Sequence, residues 1–435
     1  MRRFLLVFGA FLCCAGLIFA SGAKEGSKGS PYAGTTITFL TQAAVNMDNY
    51  PKLFVDRFEK ETGIKVNFVT MPFLQIHSKL ITDFLAKSGQ YDLVATVGYW
   101  VPEFYPAGYY TPMDKFLNDP KLRDPNFDFK DFLPAFVDYS SKWNGVLYGI
   151  PFFTDSEIFY YRKDLLEKAG FTEPPKTWSD FDSYAAKIAG MQVDGKTVYG
   201  TTMDLGDQDT ADAFILRYTS MGQNHDLLTP DRKTASFDND TGVKAVQAMK
   251  DELKYCPPGV TSYDYTAAAN SFLNGDVAMH FDWSYLYGVA QDPTKSKIAG
   301  KVGVAPLPAD PGCKPGAPLG GWALAVGAYS KHQEAAFLFA QFIKSKAAEL
   351  EGVQKLGFPP TRVSVFSDPE AQKVMPYLDV LKTSVANGVA LPRVPQFTNL
   401  MELQAAELQR AISQQITPQQ AVDNIGSAWK DVLSK

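Results

Sequence analysis

Histidine and cysteine are scarce in this chain of 435 residues, which contains 4 of each. The histidines stand far apart along the sequence, at His77, His225, His280 and His332. No two of them have the spacing of a zinc-binding motif, so the sequence predicts no metal site. A phosphate-binding GxxxxGK[ST] loop is absent too, and we therefore expect the chain itself to use neither ATP nor another cofactor.

Only two cysteines lie outside the apolar N-terminal segment. Cys13 and Cys14 fall within that segment, which leaves Cys256 and Cys313. An oxidising compartment could join these two residues, but the sequence does not give the distance between their Cα atoms. A disulfide between them stays an open alternative.

An excess of positive charge is also missing. The formal net charge is −5, and no run of basic residues interrupts the sequence. Proteins that bind nucleic acid use such runs against the phosphate backbone, so we expect no nucleic-acid partner. Hydrophobic residues make up 46% and charged residues 20%, as in ordinary globular proteins.

Long apolar runs are confined to the N-terminus. Arg2 and Arg3 precede an apolar run over 4–19, and the small residues Ala20 and Ala23 follow it. This order predicts a cleaved signal peptide over 1–23 and a periplasmic or otherwise exported protein. A membrane anchor is the alternative, but the run is slightly short and a polar segment follows at once. Neither Cys13 nor Cys14 stands in a lipoprotein motif, so we expect no lipidation.

The mature chain begins with a flexible leader over 24–34, rich in glycine, serine and lysine. Strands then alternate with helices: strand patterns over 36–40, 64–68 and 91–97 predict a parallel sheet with helices on both faces. Ligands bind at the carboxyl ends of such strands. Gln42 follows the first strand there, and Tyr99 and Trp100 follow the third. These two aromatics could instead be packing residues beneath a loop.

The segment over 148–182 predicts a passage between two lobes. A short extended run ends at Pro151, an aromatic and acidic loop follows, and a buried strand begins near Ile158. Two further passages are expected at Asp282–Trp283 and around Tyr329–Lys331. Acidic residues over 204–212 are compatible with a site, although a solvated loop is the commoner meaning of such a pattern.

The motifs of the mature chain, in their order and spacing, resemble a known family. They are FEKETGIKVNF, GQYDLVATV, YGIPFFTDSEIFYYRKDLLEKAGFTEPPKTWSDF, SFLNGDVAMHFDW, GGWALAVGAYSKHQEAAFLFAQFI and GFPPTRVSV. The chain resembles the extracellular solute-binding proteins of carbohydrate ABC importers, the group that includes maltose-binding protein. The segments ITDFLAKSGQYDLV and YWVPEF, with PPG before SFLNGDVAM, are similar to the sorbitol- and mannitol-binding branch.

This resemblance implies an α/β, bilobal periplasmic-binding-protein fold of type II, with two α/β/α lobes joined by a three-segment hinge. Lobe 1 would take 31–152 and 284–330, and lobe 2 would take 153–283 and 331–435. It also implies a monomeric, non-enzymatic receptor that closes on a carbohydrate or polyol. The closed receptor would then dock on the transmembrane subunits of an ABC permease.

Sugars and polyols present apolar C–H faces and a rim of hydroxyl groups, so a binder needs aromatic rings together with charged or amide groups. The chain is rich in aromatics (13%), although large cores would use them equally well. The candidate ring-bearing positions are Tyr99, Trp100, Phe153, Trp283 and Trp322, with Gly321 in the GGW turn that the resemblance places at the cleft. The candidate hydroxyl-binding residues are Gln42, Asp155, Glu157, Asp282 and Arg362.

Several of these assignments have a structural alternative. Trp322 could belong to a core, Glu157 could form a salt bridge on the other side of its strand, and Arg362 could be a surface residue. Two other functions also stay open. A secreted glycoside hydrolase would pair two carboxylates such as Asp155 and Asp282, and a receptor for a sensory partner would use the same closed form.

Overall fold

The computed structural model describes residues 31–43, 46–206, 209–223 and 226–435. The predicted signal peptide, most of the leader and His225 lie outside these ranges. None of the described helices is long and apolar enough to span a membrane. Cys256 and Cys313 are both free, the first buried and the second partly exposed, so the structure does not join them.

Strands and helices alternate along the described residues. The strands are β1 Thr36–Gln42, β2 Lys65–Met71, β3 Leu93–Val97, β4 Lys142–Trp143, β5 Val146–Leu147, β6 Gly149–Arg162, β7 Met191–Val193, β8 Lys196–Thr201, β9 Val277–Trp283, β10 Val302–Ala305 and β11 Leu319–Val326. The helices of the N-terminal half are α1 Asn49–Lys52, α2 Val55–Thr62, α3 Phe73–Ala86, α4 Val101–Phe104, α5 Asp114–Leu117, α6 Pro134–Phe136, α7 Lys163–Lys168, α8 Trp178–Ile188 and α9 Thr210–Met221. Those of the C-terminal half are α10 Asp240–Glu252, α11 Tyr265–Leu273, α12 Leu286–Gln291, α13 Gln333–Ile343, α14 Lys346–Leu356, α15 Val363–Phe366, α16 Pro369–Val374, α17 Leu378–Ala386, α18 Phe397–Ile412 and α19 Pro418–Leu433.

One path of hydrogen-bonded strands runs through the described chain. Its order is β2-β1-β3-β11-β6-β9-β8-β7, and β10 also pairs with β6. β1 is parallel to both β2 and β3, as the alternating pattern predicts, and β8 is parallel to β9. β11 and β6 lie between these two parallel parts, and each pairs antiparallel with both of its neighbours on this path.

β6 connects the two halves of this sheet. Its first part pairs with β11 from Gly149 to Ser156, and its second part pairs with β9 from Glu157 to Tyr161. Both pairings therefore belong to a single strand of 14 residues, which lies within the segment over 148–182.

Pro151 does not end the extended run, contrary to the sequence-based expectation. The register between β6 and β11 shifts at this point: Trp322 is opposite Phe153, whereas Ala323 is opposite Pro151. Phe152 is the extra residue of a β-bulge, a feature that interrupts the ladder locally and accommodates proline, which has no N–H to donate. Lys344 Nζ donates to the Phe152 carbonyl oxygen at 3.0 Å, so the bulge is held from outside the sheet.

Two large cores lie on either side of the β6 passage. The first packs around β1, β3 and the start of β6, with Phe39, Phe152 and Leu324 fully buried. The second packs around the C-terminal part of β6 and helices α8, α9, α10, α18 and α19. A third cluster, which includes Ile158 and Tyr160, covers the other face of this second part.

The packing of α13 and of β10 differs from the lobe boundaries predicted above. Sequence reasoning placed 331–435 in lobe 2, but α13 packs in the first core, where Phe339 lies 5.0 Å from Phe58 between ring centroids. It also placed 284–330 in lobe 1, but β10 pairs with β6 beyond the passage, at Phe159 to Arg162. The segment around Tyr329–Lys331 stays with the first core, because Ser330 Oγ donates to Asp92 Oδ1 at the start of β3.

Candidate functional site

A cavity of about 490 Å³ opens between the two large cores. It lies where β1, β3 and β9 end, so residues at or just after their carboxyl ends line it: Gln42, Val97 and Trp283. This is the position at which open α/β sheets bind ligands, and the volume is within the roughly 300–1,000 Å³ of small-molecule sites.

Half of the residues that line the cavity are aromatic. These aromatic residues are Phe73, Tyr99, Phe153, Tyr265, Trp283, Tyr285, Trp322 and Phe397. Tyr99 and Phe397 belong to opposite sides of the cavity, and their ring centroids are 4.8 Å apart. Trp322 meets Phe73 edge-on at 5.7 Å. Of the predicted ring positions, the structure thus brings Tyr99, Phe153, Trp283 and Trp322 together around one space.

Trp100 lies behind this wall and does not line it. Its side chain is 3% exposed and stacks on Phe73 with ring centroids 5.5 Å apart. It also meets Trp322 edge-on at 5.9 Å. Trp100 therefore supports two of the lining rings, which corresponds to the packing alternative stated for it.

Asp155 places a carboxyl group at the cavity from the middle of β6. Its Oδ1 accepts the N–H of Ser284 at 2.8 Å, the hydroxyl of Ser284 at 2.7 Å and the N–H of Ser156 at 3.0 Å. Burial is the main cause that raises the pKa of Asp155 to about 7, and the Ser284 hydrogen bonds oppose this shift. The side chain thus has a fixed orientation and changes its charge near neutral pH.

Asp282 and Glu157 lie near Asp155 but outside the described cavity lining. Asp282 Oδ2 is 2.9 Å from His280 Nε2, and its Oδ1 accepts the N–H of Trp283 at 2.6 Å. Glu157 is 4% exposed, and its Oε2 atom is buried with no hydrogen-bond partner among the described residues. Burial first, and then the neighbouring Asp212, raise the pKa of Glu157 well above its usual range. Both carboxyls are enclosed behind the wall.

Arg362 lies elsewhere in the fold, and its donors are occupied. Its Nε and Nη2 donate to the Lys344 carbonyl oxygen at 2.9 and 2.8 Å, and its Nη1 donates to the Asp128 carbonyl oxygen at 2.7 Å. The guanidinium carbon is 4.2 Å from the Phe132 ring centroid. At 2% exposure the residue is neither at the cavity nor at the surface. It joins the segment after α14 to the first core.

Gly321 is also outside the lining, next to Gly320, which is part of it. The φ angle of Gly321 is +152°, and a Cβ atom there would lie 2.6 Å from the Phe136 ring. The glycine is therefore required by backbone conformation and by packing against Phe136.

Sequence reasoning did not select several lining residues. Asp209 and Asp212, at the start of α9, bring two more carboxyl groups to the cavity, whereas the acidic pattern over 204–212 favoured a solvated loop. Phe397 and Met401 are one turn apart on α18, a spacing that predicts a shared face but not which cavity the face lines. Tyr265 and Tyr285 carry no such signal. The described residues contain no cluster of side chains that could hold a metal ion.

Comparison with known proteins identifies the family of this chain. A family model, the bacterial extracellular solute-binding protein, matches residues 43–350. A probable ABC transporter-binding protein of Deinococcus radiodurans is 30% identical over 364 residues, which are 82% of this chain and 83% of that protein.

Two solved structures share the architecture over nearly the whole chain. The ABC transporter solute-binding protein of Agrobacterium radiobacter K84, in complex with ribitol, has a TM-score of 0.82 and 25% identity, covering 93% of this chain and all of its own. The maltose-bound MalE3 protein of T. maritima has a TM-score of 0.81 and 29% identity, covering 92% of this chain and 100% of its own. The fold is the predicted α/β, bilobal type II periplasmic-binding-protein fold. With this fold and the match over 43–350, the chain belongs to the bacterial extracellular solute-binding protein family.

Proposed function

We propose that this protein is the receptor of an ABC importer and captures a sugar or sugar alcohol between its two lobes. The observation that carries the proposal is the cavity itself, in which aromatic rings surround the carboxyl groups of Asp155, Asp209 and Asp212 and the amide group of Gln42. The ribitol and maltose bound by the two structural neighbours are ligands of this chemistry.

The cavity suits polyhydroxylated ligands for two physical reasons. The faces of Trp283, Trp322 and Phe153 offer apolar contact to C–H groups, and burying such area is favourable. Asp155 and Gln42 accept hydrogen bonds from hydroxyl groups in a setting that excludes much of the water, where an unpaired polar group would be costly.

The ligand-binding set that we propose keeps six of the predicted residues and adds two. The six are Gln42, Tyr99, Phe153, Asp155, Trp283 and Trp322, and the additions are Asp209 and Asp212. The other predicted residues have indirect roles in this proposal: Trp100 and Gly321 shape the wall, Asp282 and Glu157 lie behind it, and Arg362 stabilises the first lobe.

Capture would work by closure of the lobes. A ligand shifts the open–closed equilibrium by the extra free energy of the contacts that it makes in the closed form. The closed protein would then deliver its ligand to the transmembrane subunits of the permease, as a monomer exported by its N-terminal signal. The hydrolase alternative is less favoured, because Asp282, its proposed partner carboxylate for Asp155, does not line the cavity.

A binding screen tests the proposal. The mature protein is heated with D-sorbitol, D-mannitol, ribitol, D-glucose or maltose, and binding is measured by isothermal titration calorimetry for each compound that raises Tm. A ligand at 100 times its Kd stabilises the folded state by roughly 2.7 kcal/mol. Stoichiometric binding without product formation supports a receptor. Release of glucose from maltose would instead support an enzyme, and the absence of binding to every probe would contradict the proposal.

A further inference from the structure

We infer that Gly320 is a positioning residue for the ligand site: its missing side chain provides the space in which the indole of Trp283 lies against β11. The inference rests on the proposed function, and it adds a specificity-determining position that lies outside the rings themselves. Gly320 is opposite Asp155 in the pairing of β11 with β6 and faces the same cavity.

Strand geometry gives Gly320 and Gly321 different surroundings. Side chains alternate between the two faces of a strand, so Gly320 shares a face with Trp322 while Gly321 points the other way. A Cβ atom at Gly321 would meet the Phe136 ring, in the core. A Cβ atom at Gly320 would instead meet Trp283, at 2.6 Å from Cζ3 and 3.1 Å from Cε3. Real Cβ atoms essentially never show a separation as short as 2.6 Å, so one of the two groups must shift.

The Trp283 ring is the part that would have to move. The same Cβ atom would lie 3.1 Å from Asp155 Cβ, which belongs to the buried strand β6 and whose carboxyl group Ser284 holds. The backbone of Trp283 is also held: its N–H donates to Asp282 Oδ1 at 2.6 Å, and its carbonyl oxygen accepts the Tyr160 hydroxyl at 2.8 Å. These hydrogen bonds hold the backbone of Trp283 and not its indole.

Displacement of this ring would change the site more than the fold. Trp283 is partly exposed and lines the cavity, so the ring has space on that side and little behind it. A side chain at Gly320 would therefore reduce the cavity and remove one aromatic face from its ligand. The position of the Trp283 indole therefore depends on the lack of a side chain at Gly320.

The first test compares Gly320→Ala with Gly288→Ala. A Cβ atom at Gly288 in α12 would meet nothing within 4 Å, so this control makes the same chemical change without a clash. With a ligand from the screen above, Gly320→Ala should weaken affinity roughly tenfold while Tm stays close to that of the wild type. Gly288→Ala should leave the affinity unchanged. Equal affinities for wild type and Gly320→Ala would overturn the inference.

The second test measures coupling and needs no ligand. Gly320→Ala should change the tryptophan emission of the ligand-free protein, because it moves Trp283 into the cavity. In a Trp283→Ala background the same substitution should leave the emission unchanged and should weaken affinity no further. A change that persists in this background would assign the effect to another residue and refute the inference. If the wild type bound none of the probes, the proposed function would fail, and the emission measurement would still decide the role of Gly320.

Discussion

The carboxyl group of Asp155 makes the stability of this protein depend on pH in a way that one substitution removes. Burial raises its pKa from 3.8 to about 7 in the folded chain. The unfolded chain therefore loses this proton about three pH units earlier than the folded chain does. The protonated group stabilises the fold fully below pH 3.8, and this contribution falls as pH rises and is exhausted above about pH 7.

The magnitude follows from the two pKa values. Between pH 5 and pH 8 the fold should lose about 2–3 kcal/mol of unfolding free energy through Asp155 alone, on the scale of 1.36 kcal/mol per pKa unit. Asp155→Asn removes the titration and keeps an oxygen that accepts the hydrogen bonds of Ser284 and Ser156. The variant should lack this loss. The unfolding free energy at pH 5 minus that at pH 8 should therefore be smaller in Asp155→Asn than in the wild type, by about 2–3 kcal/mol.

Urea unfolding at pH 5, 6, 7 and 8, followed by circular dichroism, measures the effect. The informative quantity is the slope of the unfolding free energy against pH in the wild type minus the slope in Asp155→Asn, because other titrating groups cancel. This difference between the two slopes should be present between pH 4 and 7 and should vanish at higher pH. Parallel curves for the two proteins would refute the argument that burial controls this carboxyl group.

Three further substitutions separate binding residues from structural ones. Trp322→Ala should weaken sugar or polyol binding at least about tenfold in calorimetry, since it removes a buried aromatic face, and unchanged affinity in a folded protein would exclude Trp322 from the site. Asp212→Asn should weaken binding with little change in Tm, whereas a drop in Tm with unchanged affinity would show a structural role. Arg362→Met should cost about 3–5 kcal/mol of unfolding free energy because it takes the guanidinium donors from the carbonyl oxygens of Lys344 and Asp128 and the ion-pair partner from Asp131, yet ligand affinity per folded molecule should not change.

Local sequence patterns predicted much of the fold, because the interactions behind them are local. The parallel pairing of β1 with β2 and β3 follows from alternating strands and helices. The capping box of Thr417 and Gln420 at the start of α19 is equally local, since both side chains bond to backbone within one turn. Pro151 shows the limit. Its missing N–H predicts a strand end, but a bulge and the distant Lys344 allow β6 to continue.

The candidate site was predicted less completely, because its walls come from segments far apart in sequence. Trp283 ends β9 and Trp322 lies within β11, two strands with recognisable patterns, and both residues line the cavity. Arg362 looked equally suitable as an isolated residue, but its environment depends on Lys344 and Asp128, which no local pattern connects to it. Asp209 was not selected, because an acidic loop has the same composition whether it faces water or a ligand.

Two hydrogen bonds that hold the first part of β6 indicate which part of this strand a ligand would act on. Thr154 Oγ1 donates to the Pro360 carbonyl oxygen at 2.6 Å, and Lys344 Nζ donates to the Phe152 carbonyl oxygen at 3.0 Å, so residues that follow α13 and α14 hold the strand up to Thr154. Asp155 follows at once, and the pairing with β9 begins two residues later. In the proposed closure, a ligand bound to Asp155 would therefore contact β6 between the part held up to Thr154 and the part that pairs with β9. A ligand favours the closed form only through contacts that differ between the open and closed forms. The β6 residues just after Thr154 are the ones whose ligand contacts closure of the lobes would change.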